Sequence, residues 1–135
     1  MLLVPTGILI VLVLAAITID AAVGFMAERE AANIASAAAN DIATLGIDVE
    51  HFRATGEYRL RSDLGDPIDA VTAAAVAQAG SMFIPGSFSV DVVLVDDATV
   101  RVHVVGRVDR LVLGSVSDRP FDIGAIATAT AGPKN

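Results

Sequence analysis

The chain has 135 residues, which is enough for one folded domain with an appendage and too few for two ordinary domains. Its formal net charge is −7, and every charged residue lies after residue 19, so we expect no nucleic-acid partner. The absence of cysteine excludes disulfide bonds, a thiol nucleophile and a thiolate metal site. Hydrophobic residues make up 54% of the chain and are densest at the N-terminus, which makes membrane contact the first question.

The N-terminal segment has the composition of a transmembrane helix. Residues 2–19 carry no charge and consist almost entirely of Leu, Val, Ile and Ala. A spanning helix needs about 20 mainly apolar residues, whereas the apolar part of a signal peptide has about 7 to 15 residues after a basic start. Pro5 fits the first helical turn, where its missing N–H has no helical partner anyway. We therefore predict a transmembrane segment over residues 1–27. The alternative, a signal peptide over residues 1–22, has a poor cleavage context around Asp20.

The helix is predicted to continue beyond the membrane. Residues 21–45 are rich in good helix formers and contain no proline and only one glycine, Gly24. Gly46 follows as a terminating residue. An apolar stripe recurs at helical spacing through Ile34, Ala38, Ile42 and Leu45. A helix of this extent is roughly 60 Å long, about twice the thickness of the hydrocarbon layer, so we expect residues 28–46 to protrude.

Asp20 is the one ionisable residue close to the predicted span, and it lies on a face of small residues. At spacings of three and four, the other members of this face are Ala16, Gly24, Ala27 and Ala31. Because small side chains let helices approach closely, one interpretation is a packing seam for a partner helix, with Asp20 paired to a cation or a helix N-terminus of that partner. The interpretation that we favour places Asp20 in water at the outer membrane surface, because the apolar run ends there.

A second, shorter helix is predicted after a charged surface connector over residues 47–63. Asp66 suits the N-cap, Pro67 the first helical position and Asp69 the first turn. Its apolar stripe comprises Ile68, Val71, Ala75, Ala79 and Met82. Gly80 begins to break the helix. We expect this stripe to lie against a sheet.

The sheet is predicted to follow the turn signal Ile-Pro-Gly at residues 84–86. Residues 88–95 and 99–106 alternate as strands do, which predicts an antiparallel hairpin. In residues 123–131, alanine alternates with isoleucine and threonine, which predicts a third strand whose small side chains leave room for the long helix. The predicted class is α+β: a long N-terminal transmembrane and protruding helix, a second short helix, and an antiparallel sheet of three to four strands.

The residues that could carry chemistry do not form a recognisable site. No phosphate-binding glycine loop, nucleophile elbow, zinc-protease or calcium-loop motif is present in the sequence. His103 alternates with strand valines and His51 lies in the charged connector, so we interpret both as surface histidines. Three aspartates are explained by capping of the second helix, with a divalent cation site as the alternative: Asp63, Asp66 and Asp69. We predict no enzyme, no catalytic residue, no cofactor and no metal.

Two stretches of the chain resemble the TadE/TadG-like proteins of Tad, or Flp-type, pilus systems. The first is the apolar span followed at residues 27–39 by the run Ala-Glu-Arg-Glu-Ala-Ala-Asn-Ile-Ala-Ser-Ala-Ala-Ala. The second is the valine-rich strand at residues 100–108 with the closing run Ala-Ile-Ala-Thr-Ala-Thr-Ala at residues 125–131. Ser36 stands where the family usually has Asp, and Pro5 stands near where pilins processed by a prepilin peptidase carry Glu.

The resemblance implies a non-enzymatic structural or assembly component of a type IV pilus, of the minor pilin kind, in the cell envelope. Its implied partners are other pilin-like subunits or pilus assembly proteins together with membrane lipid, and it implies no small-molecule substrate. Residues 47–135 would then form a pilin-like extracytoplasmic domain. The alternative, from another functional class, is a membrane-tethered extracytoplasmic binding module unrelated to pili. A prepilin peptidase and a secretion ATPase encoded nearby would favour the pilus.

Overall fold

The computed structural model describes residues 3–115 and 119–132. Within these ranges the chain forms an α+β fold, which confirms the predicted class. The helices are α1 (Leu3–Leu45), α2 (Val49–Thr55) and α3 (Gly65–Ala79), and the strands are β1 (Ser89–Leu94), β2 (Thr99–Val108) and β3 (Phe121–Thr130). A 3-10 turn, Leu113–Ser115, lies between β2 and β3.

Helix α1 runs without interruption for 43 residues and has two unlike halves. Residues 3–19, the bare half, project from the fold with nearly all described side chains exposed. The helix is apolar and long enough to cross a membrane: its most apolar 18-residue window has a mean hydropathy of 2.6, and only 6% of that window is buried. Residues 20–45, the packed half, form one side of the hydrophobic core of the folded part, which we call the head.

The head is built on an antiparallel sheet in which β2 is central, flanked by β1 and β3. Val90 of β1 pairs with Val104 of β2, and Val104 pairs in turn with Ala125 of β3, so the predicted hairpin and third strand are confirmed. The packed half of α1 covers β2 and β3, while α3 fills the angle between α1 and β1. The valines of β2 and the small alanines beside them on β3 pack against the alanines of α1, so that helix and sheet approach closely. The fully buried residues include Ala27, Ala35, Ile34, Ile42, Val100, Val102 and Val104.

Helix α3 begins earlier than its sequence predicts. Its N-cap is Leu64, whose side chain makes no capping hydrogen bond, and Asp66 lies inside the first turn. The predicted cap at Asp66 and first position at Pro67 are therefore wrong. The backbone N–H of Gly65 donates to Oδ1 of Asp63 at 3.2 Å, so an upstream aspartate serves the start of the helix.

The C-terminal end of the predicted α3 stripe also differs from the prediction. Val71, Ala75 and Ala79 are buried as expected, but Met82 is exposed and Phe83 enters the core instead. The helix ends at Ala79, so helical spacing no longer applies to the following residues. Gly106 of β2 makes room for the new core residue: a Cβ there would lie 2.6 Å from Cδ1 of Phe83.

The charged connector contains a helix that its sequence did not predict. The seven-residue α2 is capped by Asp48, whose Oδ1 accepts the N–H of His51 at 3.0 Å, and ends at Gly56 with a left-handed φ of 76°. So short a helix presents barely two turns, which is too few for an apolar stripe to be recognised. The connector is also tied to the core, because Leu60 is buried and forms a β-bridge with Ile47.

Helix α1 ends at Leu45, and the next residue, Gly46, is tightly packed. A Cβ at this position would lie 2.6 Å from Cδ2 of Leu64 and 2.7 Å from the carbonyl oxygen of Ile42. The helix therefore ends where only glycine fits. Arg61 satisfies the last carbonyls, since its N–H donates to the oxygen of Gly46 at 2.8 Å and its guanidinium donates to that of Leu45 at 3.2 Å.

Candidate functional site

Asp20 lies at the junction between the bare half and the packed half of α1. Its side chain is only 2% exposed, and it is the one charged residue among the buried residues of the described chain. The favoured expectation that Asp20 lies in water is therefore wrong. A carboxylate in such a place requires hydrogen-bond donors, because burial of an unpaired charge is strongly unfavourable.

The donors come from the loop between β2 and β3. The backbone N–H groups of Leu111 and Val112 donate to Oδ1 of Asp20, and the N–H of Leu113 donates to Oδ2, each at 2.9 Å. Both carboxylate oxygens are thus engaged by three consecutive amides. We call this arrangement, Asp20 with the three N–H groups, the Asp20 latch.

The loop is held in position by aromatic and cationic contacts. Phe121, the first residue of β3, lies against Gly24, where a Cβ would be 3.9 Å from the ring. The guanidinium carbon of Arg110 stands 4.6 Å from the centroid of the Phe121 ring, a cation–π contact. Nε of Arg110 also donates to the carbonyl oxygen of Arg119 at 2.9 Å, which joins the two ends of the loop.

The chemistry of the latch is that of an anion site filled by the chain itself. An ionised carboxylate only accepts hydrogen bonds, and successive backbone N–H groups that converge on one point form a cradle for negative charge. Here the cradle holds the Asp20 carboxylate, which leaves the carboxylate poorly placed to act as a base or nucleophile. The latch instead fastens the loop to the helix across more than 90 positions in the sequence.

The small residues that share a face with Asp20 are occupied by the same chain. Ala27 and Ala31 are fully buried in the head core. Gly24 is half-buried against Phe121, and Ala16 is half-buried within the bare half. The chain's own loop and sheet therefore cover most of this face, and a partner helix is not needed to account for its small side chains.

The other candidate residues are not brought together. His103 lies on the outer face of the sheet, between Asp91 of β1 and Ile126 of β3, and His51 lies in α2. In the described ranges, 3–115 and 119–132, no three His, Asp or Glu side chains are placed to share a metal ion. Asp96 lies in the turn between β1 and β2, where its Oδ1 accepts the N–H of Ala98 at 2.9 Å. That hydrogen bond lowers the pKa of the Asp96 carboxyl below its ordinary value of 3.8, with a further contribution from the side chain of Thr99.

The donors of the latch were missed because backbone N–H groups have no sequence signature. Gly114 and Pro120 predict only that a loop follows β2. One signal was available: an aspartate at the end of a long apolar helix needs a partner. That rule predicts that donors exist near Asp20, but it does not indicate which segment supplies them.

Comparison with known proteins adds no assignment to this geometry. The chain matches no protein-family model, no curated protein and no solved structure.

Proposed function

We propose that this chain is a membrane-anchored, non-enzymatic component of a Tad-type pilus, either a minor pilin-like subunit or an assembly protein. The observation that carries the proposal is α1, in which one unbroken helix has a bare apolar half and a half that forms the core of an α+β head. Because span and head share one helix, a force or a displacement applied to the head is transmitted directly to the span. This coupling suits a protein that works by packing into an assembly.

The Asp20 latch supports the same function. It holds the β2–β3 loop against α1 at the boundary between the two halves. The head therefore contacts the helix along the whole packed half. A domain that hung on a flexible linker would need no such contact. The latch therefore favours a rigid subunit over a tethered module that moves freely above the membrane.

Partners of this protein are proposed from the same two halves. The bare half offers Val, Leu and Ile side chains on all sides, which suits lipid or the apolar helices of other pilin-like subunits. The head carries the connector and the outer face of the sheet, which would contact pilus assembly proteins on the extracytoplasmic side. The resemblance of residues 27–39 and 125–131 to TadE/TadG-like proteins supports this choice of partners.

Packing rather than catalysis is also supported by how polar groups are used. The Ser87 hydroxyl donates to the carbonyl oxygen of Ile84 at 2.7 Å and accepts the N–H of Arg107 at 3.1 Å. Asp96 serves the hairpin turn and Asp20 serves the latch. Each of these groups stabilises a turn or a loop, so we assign them structural roles.

Deletion of the gene in its native host tests the proposal. We expect the strain to lose surface filaments, counted by electron microscopy, and the full chain to restore them. A variant that lacks residues 1–15 should fail to restore them, because its head would no longer be anchored. The matched control is Ile10→Val, a conservative change in the bare half that should restore filaments fully.

Cross-linking from the bare half identifies the partner. A photoreactive residue in place of Leu12, which is exposed on the bare half, should capture a pilin-like subunit that mass spectrometry can identify.

Normal filament number in the deletion strain would contradict the pilus proposal. It would favour instead the membrane-tethered binding module.

A further inference from the structure

The bare half defines where the membrane must end along α1. Residues 3–19 number 17 and rise about 26 Å, which nearly fills a hydrocarbon layer of about 30 Å. When the bare half occupies this layer, Asp20 lies within about one helical turn of its boundary. The inference developed from this geometry depends on the membrane anchoring in the proposed function and is independent of the pilus.

The β2–β3 loop lies at the same depth as Asp20. The latch brings the N–H groups of Leu111 and Leu113 to 2.9 Å from the carboxylate oxygens, so the loop backbone cannot stand far above that level. Side chains on a helix tilt toward its N-terminus, which here points into the bilayer. The latch therefore holds the loop at the edge of the hydrocarbon layer.

Large apolar side chains of α1 and of the β2–β3 loop are exposed close to this level. Leu111 is 72% exposed, and Phe25 and Met26 of α1 are 66% and 61% exposed, with Val112 beside them. We call Phe25, Met26, Leu111 and Val112 the collar. The collar continues the apolar surface of the bare half, and a groove of about 470 Å³ bounded in part by Met26, Met82 and Leu111 extends it onto the head.

We propose that the collar is inserted into the interfacial layer of the bilayer, so that the head rests on the membrane. Exposure of apolar surface to water is unfavourable, and lipid at this depth removes that exposure. The occupant is lipid because the collar is continuous with a surface that is itself suited to lipid. The consequence is that the latch sets the height and tilt of the head, and hence the face that the head presents to a partner.

Single cysteines in the full chain test the collar directly. The natural sequence has no cysteine, so each variant carries one unique attachment site for an environment-sensitive fluorophore. The variants are Leu111→Cys in the collar, Leu94→Cys as a matched control and Val11→Cys in the bare half. Leu94 is also exposed but belongs to the far end of the head, where it pairs with Val100, about 26 Å along β2 from Val108.

The measurement is quenching of each label in phosphatidylcholine vesicles that contain a lipid with a nitroxide group near the headgroup. We expect strong quenching at Cys-labelled position 111 and none at position 94, relative to vesicles without nitroxide. Position 11, monitored with a deeper nitroxide, reports whether the chain is anchored. If it is anchored, equal quenching at positions 111 and 94 would overturn the insertion of the collar. Loss of quenching at position 11 would overturn the anchoring as well.

A second site protects the test against local damage to the loop. Phe25→Cys places the label on α1 itself, where the substitution leaves the latch donors untouched. Circular dichroism before and after labelling checks that each variant keeps its fold. The collar requires quenching at position 25 as well as at position 111, and an unquenched label at position 25 in a folded variant would overturn it.

Discussion

The two halves of α1 belong to one helix but follow opposite packing rules. The bare half carries bulky Val, Leu and Ile side chains that contact almost nothing else in the fold, whereas the packed half buries mainly alanines. Bulky side chains on every side give a surface that only an apolar solvent or an apolar partner satisfies. Alanines allow the sheet to approach the helix closely, so the packed half gains its stability from contacts within the chain.

The latch marks the boundary between these two regimes. Asp20 is the first charged residue of the sequence, and it is satisfied by the loop rather than by water. The helix thus passes from an exposed apolar half to a half packed against the head without a break in its backbone. A charged residue beside an apolar run is therefore not by itself a sign of exposure to water.

Removal of most of the bare half should produce the largest effect. A chain that lacks residues 1–15 keeps Asp20 and the whole core, so we expect it to move completely from the membrane pellet to the soluble fraction. Ultracentrifugation measures the partition, and circular dichroism measures whether the head remains folded. Aggregation or unfolding of the truncated chain would show that the bare half is integral to the head, and the division of α1 into two halves would then be wrong.

Truncation of one isoleucine should lower the stability of the head when the residue lies in the packed half but not when it lies in the bare half. Ile34→Ala removes a side chain that is 1% exposed and should destabilise the head by about 2 to 5 kcal/mol, because a cavity is left in the core. Ile10→Ala is the matched control in the bare half and should leave the head unchanged. The free energy of unfolding in detergent, obtained from urea titration, measures both. Similar free energies of unfolding for the two variants would contradict the division of α1 into a packed half and a bare half.

Loss of the latch should have the next largest effect. Asp20→Ala leaves three backbone N–H groups without their acceptor, so we expect the melting temperature of the head to fall by roughly 10 °C. Protease cleavage within residues 109–115 should also accelerate, since the loop is released. Asp41→Asn is the matched control, because Asp41 is an exposed aspartate on the same helix. An unchanged cleavage rate in Asp20→Ala would show that the latch does not hold the loop.

The hairpin turn should give the smallest effect, visible as a dependence on pH. The pKa of Asp96 is lowered in the folded state, so its stabilising contribution is complete above the ordinary value of 3.8 and is lost as pH falls through the lower folded value. Asp96→Asn should therefore melt slightly below the natural chain at neutral pH, and the difference should vanish in strong acid. Asp97→Asn provides the control for the loss of one charge. A difference that persists in strong acid would contradict the assignment.

Much of the fold was predictable because it depends on local periodicity. The long helix ending at Leu45, the hairpin and the closing strand each repeat a simple spacing over many residues, and the structure confirms them. The errors occurred where the pattern was short. The seven residues of α2, the start of α3 at Gly65 and the exchange of Met82 for Phe83 each depend on one or two positions that tertiary contacts decide.

Hydrophobic spacing along the chain is enough to predict a long apolar helix followed by an α+β head, because spacing of this kind admits few other structures. The role of Asp20 follows only from the folded chain, since its partners are the backbone amides of Leu111, Val112 and Leu113, whose side chains do not indicate donation. Backbone N–H groups are identical at nearly every residue. Their convergence on one carboxylate is a property of the folded path of the chain, and it exists only once β2 and β3 are packed against α1.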